Sequence, residues 1–280
     1  MSAKETNIAG SPHSANCDAK PLVTVGIAAY NEERYVERAV ASVLAQTFTD
    51  FELIIIDDAS GDNTPALLRN ISDARIRLLL EHENKGLACR LNQQIDLARG
   101  KYFVRMDADD IMMPERLARQ VAYLESHPET DVCGTPCYVI DDEDRVLGTR
   151  RIRDKEIRSL MHPTVAGRIE WFRKYRYNEQ YSGLEDFDLW LRSADASTFV
   201  QLSEPLMYYR DALQYDVQTV IRRRKLGLRV VYADRGYYHN PIVPYCILIK
   251  DVLTLPLIRL CALLGLDRFV IGRRNAAVQQ

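Results

Sequence analysis

Two clusters of aspartates have the residue types and spacing to do chemistry in this 280-residue chain. The clusters are Asp57-Asp58 and Asp107-Ala108-Asp109-Asp110. Carboxylates repel phosphate groups directly, but a divalent cation binds carboxylate and phosphate oxygens together. Carboxylates also accept hydrogen bonds from ribose hydroxyls. Each cluster taken alone is more typical of a solvated turn or a helix cap, so its place in the fold decides whether the chemical interpretation is favoured.

Each cluster directly follows a segment with the composition of a buried β-strand. Four such β-rich apolar segments alternate with segments of helical periodicity, at residues 22–28, 51–56, 75–80 and 101–106. This alternation predicts an α/β fold with a mainly parallel, doubly wound sheet, in which ligands bind at the carboxyl ends of the strands. Both clusters are therefore expected at the same edge of the sheet. Asn31 is expected to cap the helix that follows the first strand.

The regular alternation fades after residue 131. The expected elements there are one strand over 132–140, an acidic turn over 141–144, a short helix over 184–193, and strand pieces over 199–202 and 206–209. The simplest division of the chain has three parts. They are a flexible tail over 1–20, an α/β domain over 21–210, and a basic, apolar helical extension over 211–280.

Composition and missing motifs exclude several classes of protein. The net charge of −2 argues against a nucleic-acid binder, and ordinary numbers of Gly (13) and Pro (11) argue against disorder. The first strand continues into residues 26–31 (GIAAYN), which lack the glycine pattern of a dinucleotide-binding enzyme, and no P-loop occurs. A nucleotidyltransferase is disfavoured because acids, not basic residues, follow this strand. The six cysteines are scattered without zinc spacing, which predicts reduced, buried side chains.

The two ends of the chain predict its location. Residues 1–20 are polar and lack the apolar region of a signal peptide, which predicts a cytoplasmic protein. Residues 242–266 are apolar, but charged residues and a proline interrupt them, so a spanning helix is disfavoured. Basic residues flank this segment. Two interpretations stay open: peripheral contact of residues 242–274 with an anionic membrane surface, or a helix packed on the domain or on another subunit.

Further motifs occur in a characteristic order along the chain. They are residues 29–32 (AYNE), 41–46 (ASVLAQ), 51–64 (FELIIIDDASGDNT), 84–88 (NKGLA), Asn92, 98–102 (ARGKY), 106–110 (MDADD), 162–164 (HPT) with Arg168, and 183–190 (GLEDFDLW). No single motif is specific, but the ordered set resembles the family 2 glycosyltransferases of the GT-A fold, which often act in the synthesis of bacterial surface polysaccharides. The resemblance covers about residues 21–210.

The resemblance implies a role for individual residues. Residues that would bind the nucleotide sugar are Ala29, Tyr30, Glu32, Asp58, Arg90 and Asp107. Asp109 would bind a Mn²⁺ or Mg²⁺ ion that bridges the diphosphate. Asp186 would be the general base, supported by Glu185, although an aspartate there is also typical of a helix cap. His162 and Arg168 would contact the acceptor or a phosphate, and a packed histidine is the alternative for His162.

The implied activity is an inverting, metal-dependent transfer of a sugar from a nucleoside diphosphate donor, preferably a UDP-sugar. The acceptor would be a glycan or a lipid-linked sugar at the inner face of the cell membrane, with no nucleic acid involved. The Gln-X-X-Arg-Trp motif of processive polymerases is missing, because neither Trp171 nor Trp190 follows an arginine. One sugar is therefore expected per acceptor. The alternative is a catalytically silent member of the family that acts as a partner in a synthesis complex.

Overall fold

The computed structural model describes residues 20–152, 159–211 and 217–233, together with residues 236, 254, 256 and 258. Of residues 217–220 and 223 it describes the backbone alone. The predicted flexible tail lies outside the described residues, apart from Lys20. The same is true of nearly all of the predicted membrane-contact segment 242–274.

Strands and helices alternate from residue 23 to residue 126, as predicted, except that the short strand Ile111–Met112 directly follows the strand Tyr102–Asp107. The strands are β1 (Val23–Ala29), β2 (Phe51–Asp57), β3 (Ile76–Leu80), β4 (Tyr102–Asp107), β5 (Ile111–Met112), β6 (Val132–Gly134), β7 (Cys137–Ile140), β8 (Val146–Arg150), β9 (Ala166–Arg168), β10 (Phe199–Gln201) and β11 (Met207–Arg210). The α-helices are α1 (Val36–Leu44), α2 (Thr64–Asn70), α3 (Leu87–Leu97), α4 (Arg116–Ser126), α5 (Ile169–Lys174), α6 (Glu185–Ser193) and α7 (Val217–Ala233).

Within the described residues the main sheet has seven strands in the order β10-β6-β9-β4-β1-β2-β3. All neighbouring strands run parallel except β9, which is antiparallel to both β4 and β6. The register places Ala29 beside Asp57, and Ala28 beside Asp107. The ends of β2 and β4 therefore meet at one edge of the sheet, as the parallel arrangement predicts.

Helices cover both faces of this sheet, because the side chains of its central strands alternate between two cores. In β1, Val25 and Ile27 belong to the core that includes apolar residues of α1 and α4. Phe103 of β4 belongs to the other core, with residues of α3, α5 and α6. Gly26 faces α3 so closely that a Cβ atom there would lie 2.5 Å from Oε1 of Gln94. This two-sided burial explains the nearly continuous apolar sequence of the parallel strands.

The prediction of one strand over 132–140 is wrong. Two strands form instead, with Thr135 and Pro136 between them. β6 pairs with β9 and β10 in the main sheet, whereas β7 pairs with β8 and β11 in a second sheet of order β5-β11-β7-β8. Proline has no N–H to donate to a strand ladder, so it suits a position where the chain leaves one sheet for the other.

Most of the described part of the extension is α7, of 17 residues. No helix among the described residues is both long and apolar enough to cross a lipid bilayer. The division of the chain at residues 20 and 210 stays a prediction.

Candidate active site

The loop after β1 is bound to the loop after β2. Oδ1 of Asn31 accepts a hydrogen bond from the backbone N–H of Gly61 at 2.8 Å, and the backbone N–H of Glu32 donates to Oγ1 of Thr64 at 2.8 Å. Asn31 has a φ of +57°, which asparagine tolerates better than most residues. Its predicted role as a helix cap is wrong, since α1 begins at Val36. Its side chain instead joins the two loops.

Asp58 and Arg90, both predicted to bind the nucleotide, form a buried ion pair. Nε of Arg90 donates to Oδ1 of Asp58 at 2.6 Å, and both side chains are at most 5% exposed. Asp58 also accepts from the backbone N–H groups of Lys85 and Gly86, at 2.9 and 2.8 Å. Arg90 further donates from Nη2 to the carbonyl of Glu83 at 2.5 Å. The pair thereby holds the loop before α3 against the end of β2.

The end of β1 faces the second aspartate cluster. Ala29 is buried and its carbonyl accepts a hydrogen bond from the N–H of Asp58 at 2.8 Å, while Tyr30 is half exposed. Burial and the carboxylates of Asp109 and Asp107 raise the pKa of Glu32 to about 8. Three acids thus meet at one edge of the sheet: Glu32 from the loop after β1, Asp107 from the end of β4 and Asp109 from the turn that follows β4.

The second cluster is compact enough to bind a metal ion. Carboxylate oxygens of Asp107, Asp109 and Asp110 lie within 4.8 Å of one another. Asp107 is bound by the buried Arg105, whose Nη1 donates to Oδ2 at 2.8 Å and whose Nη2 pairs with Oδ1. Asp109 and Asp110 belong to the turn that connects β4 with β5.

Electrostatics show that negative charge is insufficiently compensated in this cluster. Burial and the charge of Asp107 raise the pKa of Asp109 to about 6. Burial, Asp107 and Asp109 raise the pKa of Asp110 well above its ordinary value. Oδ2 of Asp110 is buried and has no hydrogen-bond partner among the described residues. An all-carboxylate donor set with one unpartnered oxygen fits a Mn²⁺ or Mg²⁺ ion.

Two further residues belong to the site: Asp110, which the sequence indicated only as part of the acidic cluster without a role of its own, and Arg210, which it did not indicate. The backbone N–H of Arg210 donates to Oδ1 of Asp110 at 2.8 Å, and its Nε donates to the carbonyl of Asp109 at 2.9 Å. Its guanidinium also pairs with Asp144 and lies 4.1 Å from the ring centroid of Tyr35. Asp110 carried a signal in the run of acids after β4. Arg210, 100 residues away, carried none.

Glu185 and Asp186 begin α6. Glu185 is buried, and its Oε2 accepts a hydrogen bond from the N–H of Gly183 at 2.6 Å. Burial raises its pKa, and the adjacent Asp186 raises it further. Asp186 is partly exposed and its Oδ1 accepts from the N–H of Phe187 at 2.8 Å. The residue in the cap position is Leu184, so Asp186 is not the cap of this helix.

Arg105 lies between the aspartate cluster and α6. The carboxylates of Asp107, Asp110 and Glu185 all favour the charged form of Arg105 and raise its pKa despite complete burial. His162 lies on the same side, where its Nε2 is 2.8 Å from the hydroxyl of Tyr177. Burial and the charge of Arg105 lower the pKa of His162 well below its ordinary value. His162 is therefore a packed residue that contacts Tyr177 and Trp190, and its predicted contact with the acceptor or a phosphate stays a prediction.

Arg168 is not brought to this edge of the sheet. It pairs with Tyr102 at the opposite end of β4 from Asp107. Its guanidinium donates to the backbone carbonyls of Thr130, Leu124 and His127 at 3.1, 2.9 and 3.3 Å. The structure gives Arg168 a role in holding the end of α4, and its predicted contact with an acceptor or a phosphate stays a prediction.

Comparison with known proteins identifies the family. The sequence profile described as Glycosyl transferase family 2 matches residues 24–188, more than half of the chain. The chain belongs to glycosyl transferase family 2. It is 30% identical over 242 residues to MJ1057, an uncharacterized glycosyltransferase of Methanocaldococcus jannaschii, and the match covers 80% of this chain and 83% of that protein. It is also 35% identical over 127 residues to WfgD of Escherichia coli, covering 45% of this chain and 49% of that protein.

Solved structures show the same fold. The S. aureus protein TarS (residues 1–349), in complex with UDP-GlcNAc, has a TM-score of 0.62 at 18% identity and covers 82% of this chain and 71% of that one. The mannosyltransferase PcManGT of Pyrobaculum calidifontis, in complex with GDP-Man and Mn²⁺, has a TM-score of 0.59 at 18% identity and covers 94% and 77%. This chain therefore has the GT-A fold.

Proposed function

We propose that this glycosyltransferase transfers one sugar from a UDP-sugar to a glycan or lipid-linked acceptor, with inversion at the transferred carbon. The observation that carries the proposal is the aspartate cluster within 4.8 Å at the end of β4, whose charges act on Arg105 together with that of Glu185 at the start of α6. UDP-GlcNAc in the similar TarS structure supports the choice of donor.

The donor half of the site is formed by the ends of β1, β2 and β4. Residues proposed to surround the nucleoside and the donor sugar are Ala29, Tyr30, Glu32, Asp58, Arg90 and Asp107. Asp109 and Asp110 would hold a Mn²⁺ or Mg²⁺ ion. When bound, the ion would stabilise the negative charge of the departing diphosphate.

The acceptor half is formed by α6. Asp186 accepts the proton of the acceptor hydroxyl while that oxygen forms its bond to C1 of the sugar. The bond between C1 and the diphosphate oxygen breaks at the same time, and UDP leaves with the electron pair. Glu185 supports Asp186 from within the protein, where its hydrogen bond to Gly183 holds the start of the helix.

The names of relatives support a place in the synthesis of cell-surface polysaccharides. WfgD is named as a β-1,3-glucosyltransferase that acts on α-D-GlcNAc-diphosphoundecaprenol. A further relative, which is 40% identical over 104 residues, is the succinoglycan biosynthesis protein ExoO of Rhizobium meliloti. By analogy, the acceptor proposed here is presented at the cytoplasmic face of the membrane.

The proposal is tested by sugar transfer and UDP release with Asp186→Asn. Removal of a general base is expected to lower kcat by about 100-fold or more, with little change in UDP affinity. Asp195→Asn is the matched control, because Asp195 is exposed at the other end of α6. Full transfer activity in Asp186→Asn would contradict the assigned role.

The alternative, a catalytically silent partner in a synthesis complex, predicts a different outcome. Such a protein would bind UDP-sugars but release no UDP across a panel of donors and acceptors. The intact cluster of Asp107, Asp109 and Asp110 and the intact Asp186 argue against it.

A further inference from the structure

A cavity of about 520 Å³ lies between α7 and the loop that leads into α6. Ser182 and Gly183 of the loop line one side, and Arg222, Lys225, Leu226 and Arg229 of α7 line the other. Gly227 of α7 approaches this loop, since a Cβ atom there would lie 3.7 Å from Cδ1 of Leu184. The cavity is therefore a meeting point of two elements rather than a groove along one helix.

Three cations converge on this cavity. Arg222, Lys225 and Arg229 are three and four residues apart, a spacing that places their side chains on one face of a helix. All three are exposed, and no carboxylate among the described residues pairs with them. Like charges on one helix face repel one another, so an anion bound between them would relieve an unfavourable arrangement.

The cavity adjoins the acceptor half of the proposed active site. Its wall at Gly183 donates a hydrogen bond to Oε2 of Glu185 at 2.6 Å, and Asp186 is the next residue. A Cβ atom on Gly86, in the loop held by Asp58, would lie 3.8 Å from Oγ of Ser182. An anionic group in the cavity would thus sit beside the proposed general base.

The apolar residues of α7 indicate what kind of anion fits. Ile221 is buried and Leu226 half-buried at the same cavity. A free inorganic anion cannot make apolar contacts with these residues, whereas an alkyl phosphate carries both a charge and a hydrocarbon chain that could contact them. The donor diphosphate has a separate source of compensation in the cation proposed at Asp109 and Asp110.

We propose that this cavity is an acceptor subsite that binds the diphosphate of an alkyl diphosphate-linked saccharide through Arg222, Lys225 and Arg229. The assignment rests on the proposed transfer to a lipid-linked acceptor. The three cations would recognise the part of the acceptor that is remote from its reacting hydroxyl, and the saccharide would thereby be held next to Asp186.

The test is direct binding of decyl diphosphate to the full chain, measured by calorimetry in the presence of UDP and Mn²⁺. The combined variant Arg222→Gln, Lys225→Gln, Arg229→Gln is expected to weaken binding by more than about tenfold, because charge-assisted hydrogen bonds are lost. The control removes three exposed cations elsewhere, Arg69→Gln, Lys101→Gln and Arg119→Gln, and should bind within about twofold of wild type. Decyl maltoside, which carries no charge, is expected not to bind.

Each other outcome overturns the subsite. Equal binding by both combined variants would show that the three cations do not recognise the diphosphate. An equal loss of UDP affinity in the cavity variant would assign the cavity to the donor. If inorganic pyrophosphate competes for the cavity as well as decyl diphosphate does, the cavity is a site for free anions. If the cavity variant loses binding to anionic vesicles but keeps its affinity for decyl diphosphate, the three cations bind a lipid surface instead. Intact decyl diphosphate binding without any sugar transfer would instead contradict the proposed function alone.

Discussion

Arg105 binds the carboxylate of Asp107 through both terminal nitrogens, with Nη1 donating to Oδ2 at 2.8 Å and Nη2 pairing with Oδ1. Arg105 is only 3% exposed, whereas Asp107 is 26% exposed. A buried, planar guanidinium thus fixes the orientation of a partly exposed carboxylate. The same charge acts on Glu185, so one arginine influences both halves of the site.

The bidentate interaction between Arg105 and Asp107 is tested by Arg105→Lys. Lysine keeps the positive charge but cannot donate two parallel hydrogen bonds, so kcat/KM is expected to fall at least about tenfold, or about 1.4 kcal/mol. Steady-state transfer assays measure this. Arg77→Lys is the control, because Arg77 pairs with Glu52 away from the aspartate cluster. A wild-type kcat/KM in Arg105→Lys would show that the bidentate interaction is not needed for activity.

Metal binding should appear as a gain in stability. At a Mn²⁺ concentration 100 times its Kd, the free energy of unfolding is expected to rise by about 2.7 kcal/mol. Urea unfolding with and without Mn²⁺ measures the gain, which should be largely lost in Asp109→Asn and Asp110→Asn. Without metal both variants should be at least as stable as wild type, since a repulsive charge is removed. Glu129→Gln, an exposed control, should behave as wild type in both conditions.

The metal prediction fails if Mn²⁺ stabilises Asp109→Asn as much as it stabilises the wild type. Such a result would place the ion elsewhere. A chelator that leaves transfer activity intact would contradict the requirement for an ion.

The buried carboxyl group of Glu185 should make the free energy of unfolding of the protein depend on pH. Its pKa is raised in the folded protein above the ordinary value of 4.5, so the folded state binds this proton more tightly than the unfolded state. The stabilising contribution is therefore present at low pH and is lost as the pH rises through the folded pKa. Glu185→Gln removes the charge, so its free energy of unfolding should increase relative to wild type as the pH rises above 4.5 and through the folded pKa.

Urea unfolding at several pH values measures this difference. Glu170→Gln is the matched control, because Glu170 is highly exposed and should leave the pH profile unchanged. Parallel profiles for wild type and Glu185→Gln would contradict the effect of burial on this carboxyl group.

Gly100 is required by close packing against β1. A Cβ atom at this position would lie 2.5 Å from the backbone nitrogen of Thr24 and 2.6 Å from the carbonyl carbon of Val23. Gly100→Ala should therefore reduce the free energy of unfolding by about 1–3 kcal/mol, measured by urea unfolding. Gly227→Ala, within α7 and 3.7 Å from its nearest neighbour, should instead gain about 0.5–1 kcal/mol. Equal stability of Gly100→Ala and wild type would refute the steric argument.

Membrane contact through residues 242–274 stays a prediction from sequence. Deletion of residues 241–280 should reduce co-sedimentation with vesicles that contain anionic lipid, because the apolar segment and its flanking cations are removed. Neutral vesicles are the control. Unchanged co-sedimentation would favour packing on the protein, an interpretation that two described residues support: Oγ1 of Thr254 accepts from Nη1 of Arg224 at 2.8 Å, and Ile258 is buried.

Local patterns predict the strands and helices between residues 23 and 126 well. The segments expected as strands at 22–28 and 51–56 are observed as Val23–Ala29 and Phe51–Asp57. Their apolar residues face cores on both sides of a parallel sheet, so the signal is strong in every residue of the strand. The same reasoning fails over 132–140, because which sheet a short strand joins depends on partners far away in the chain.

The sequence by itself determined the α/β alternation, the position of the aspartates at strand ends and the resemblance to family 2 glycosyltransferases. Only the tertiary structure decided which acids are buried together, that Arg105 and Arg210 hold them, that Arg168 lies at the other end of β4, and that the cations of α7 line a cavity beside α6. The physical reason is that strands and helices follow from local periodicity, whereas the charge state and orientation of a carboxylate follow from burial and from neighbours that folding brings together.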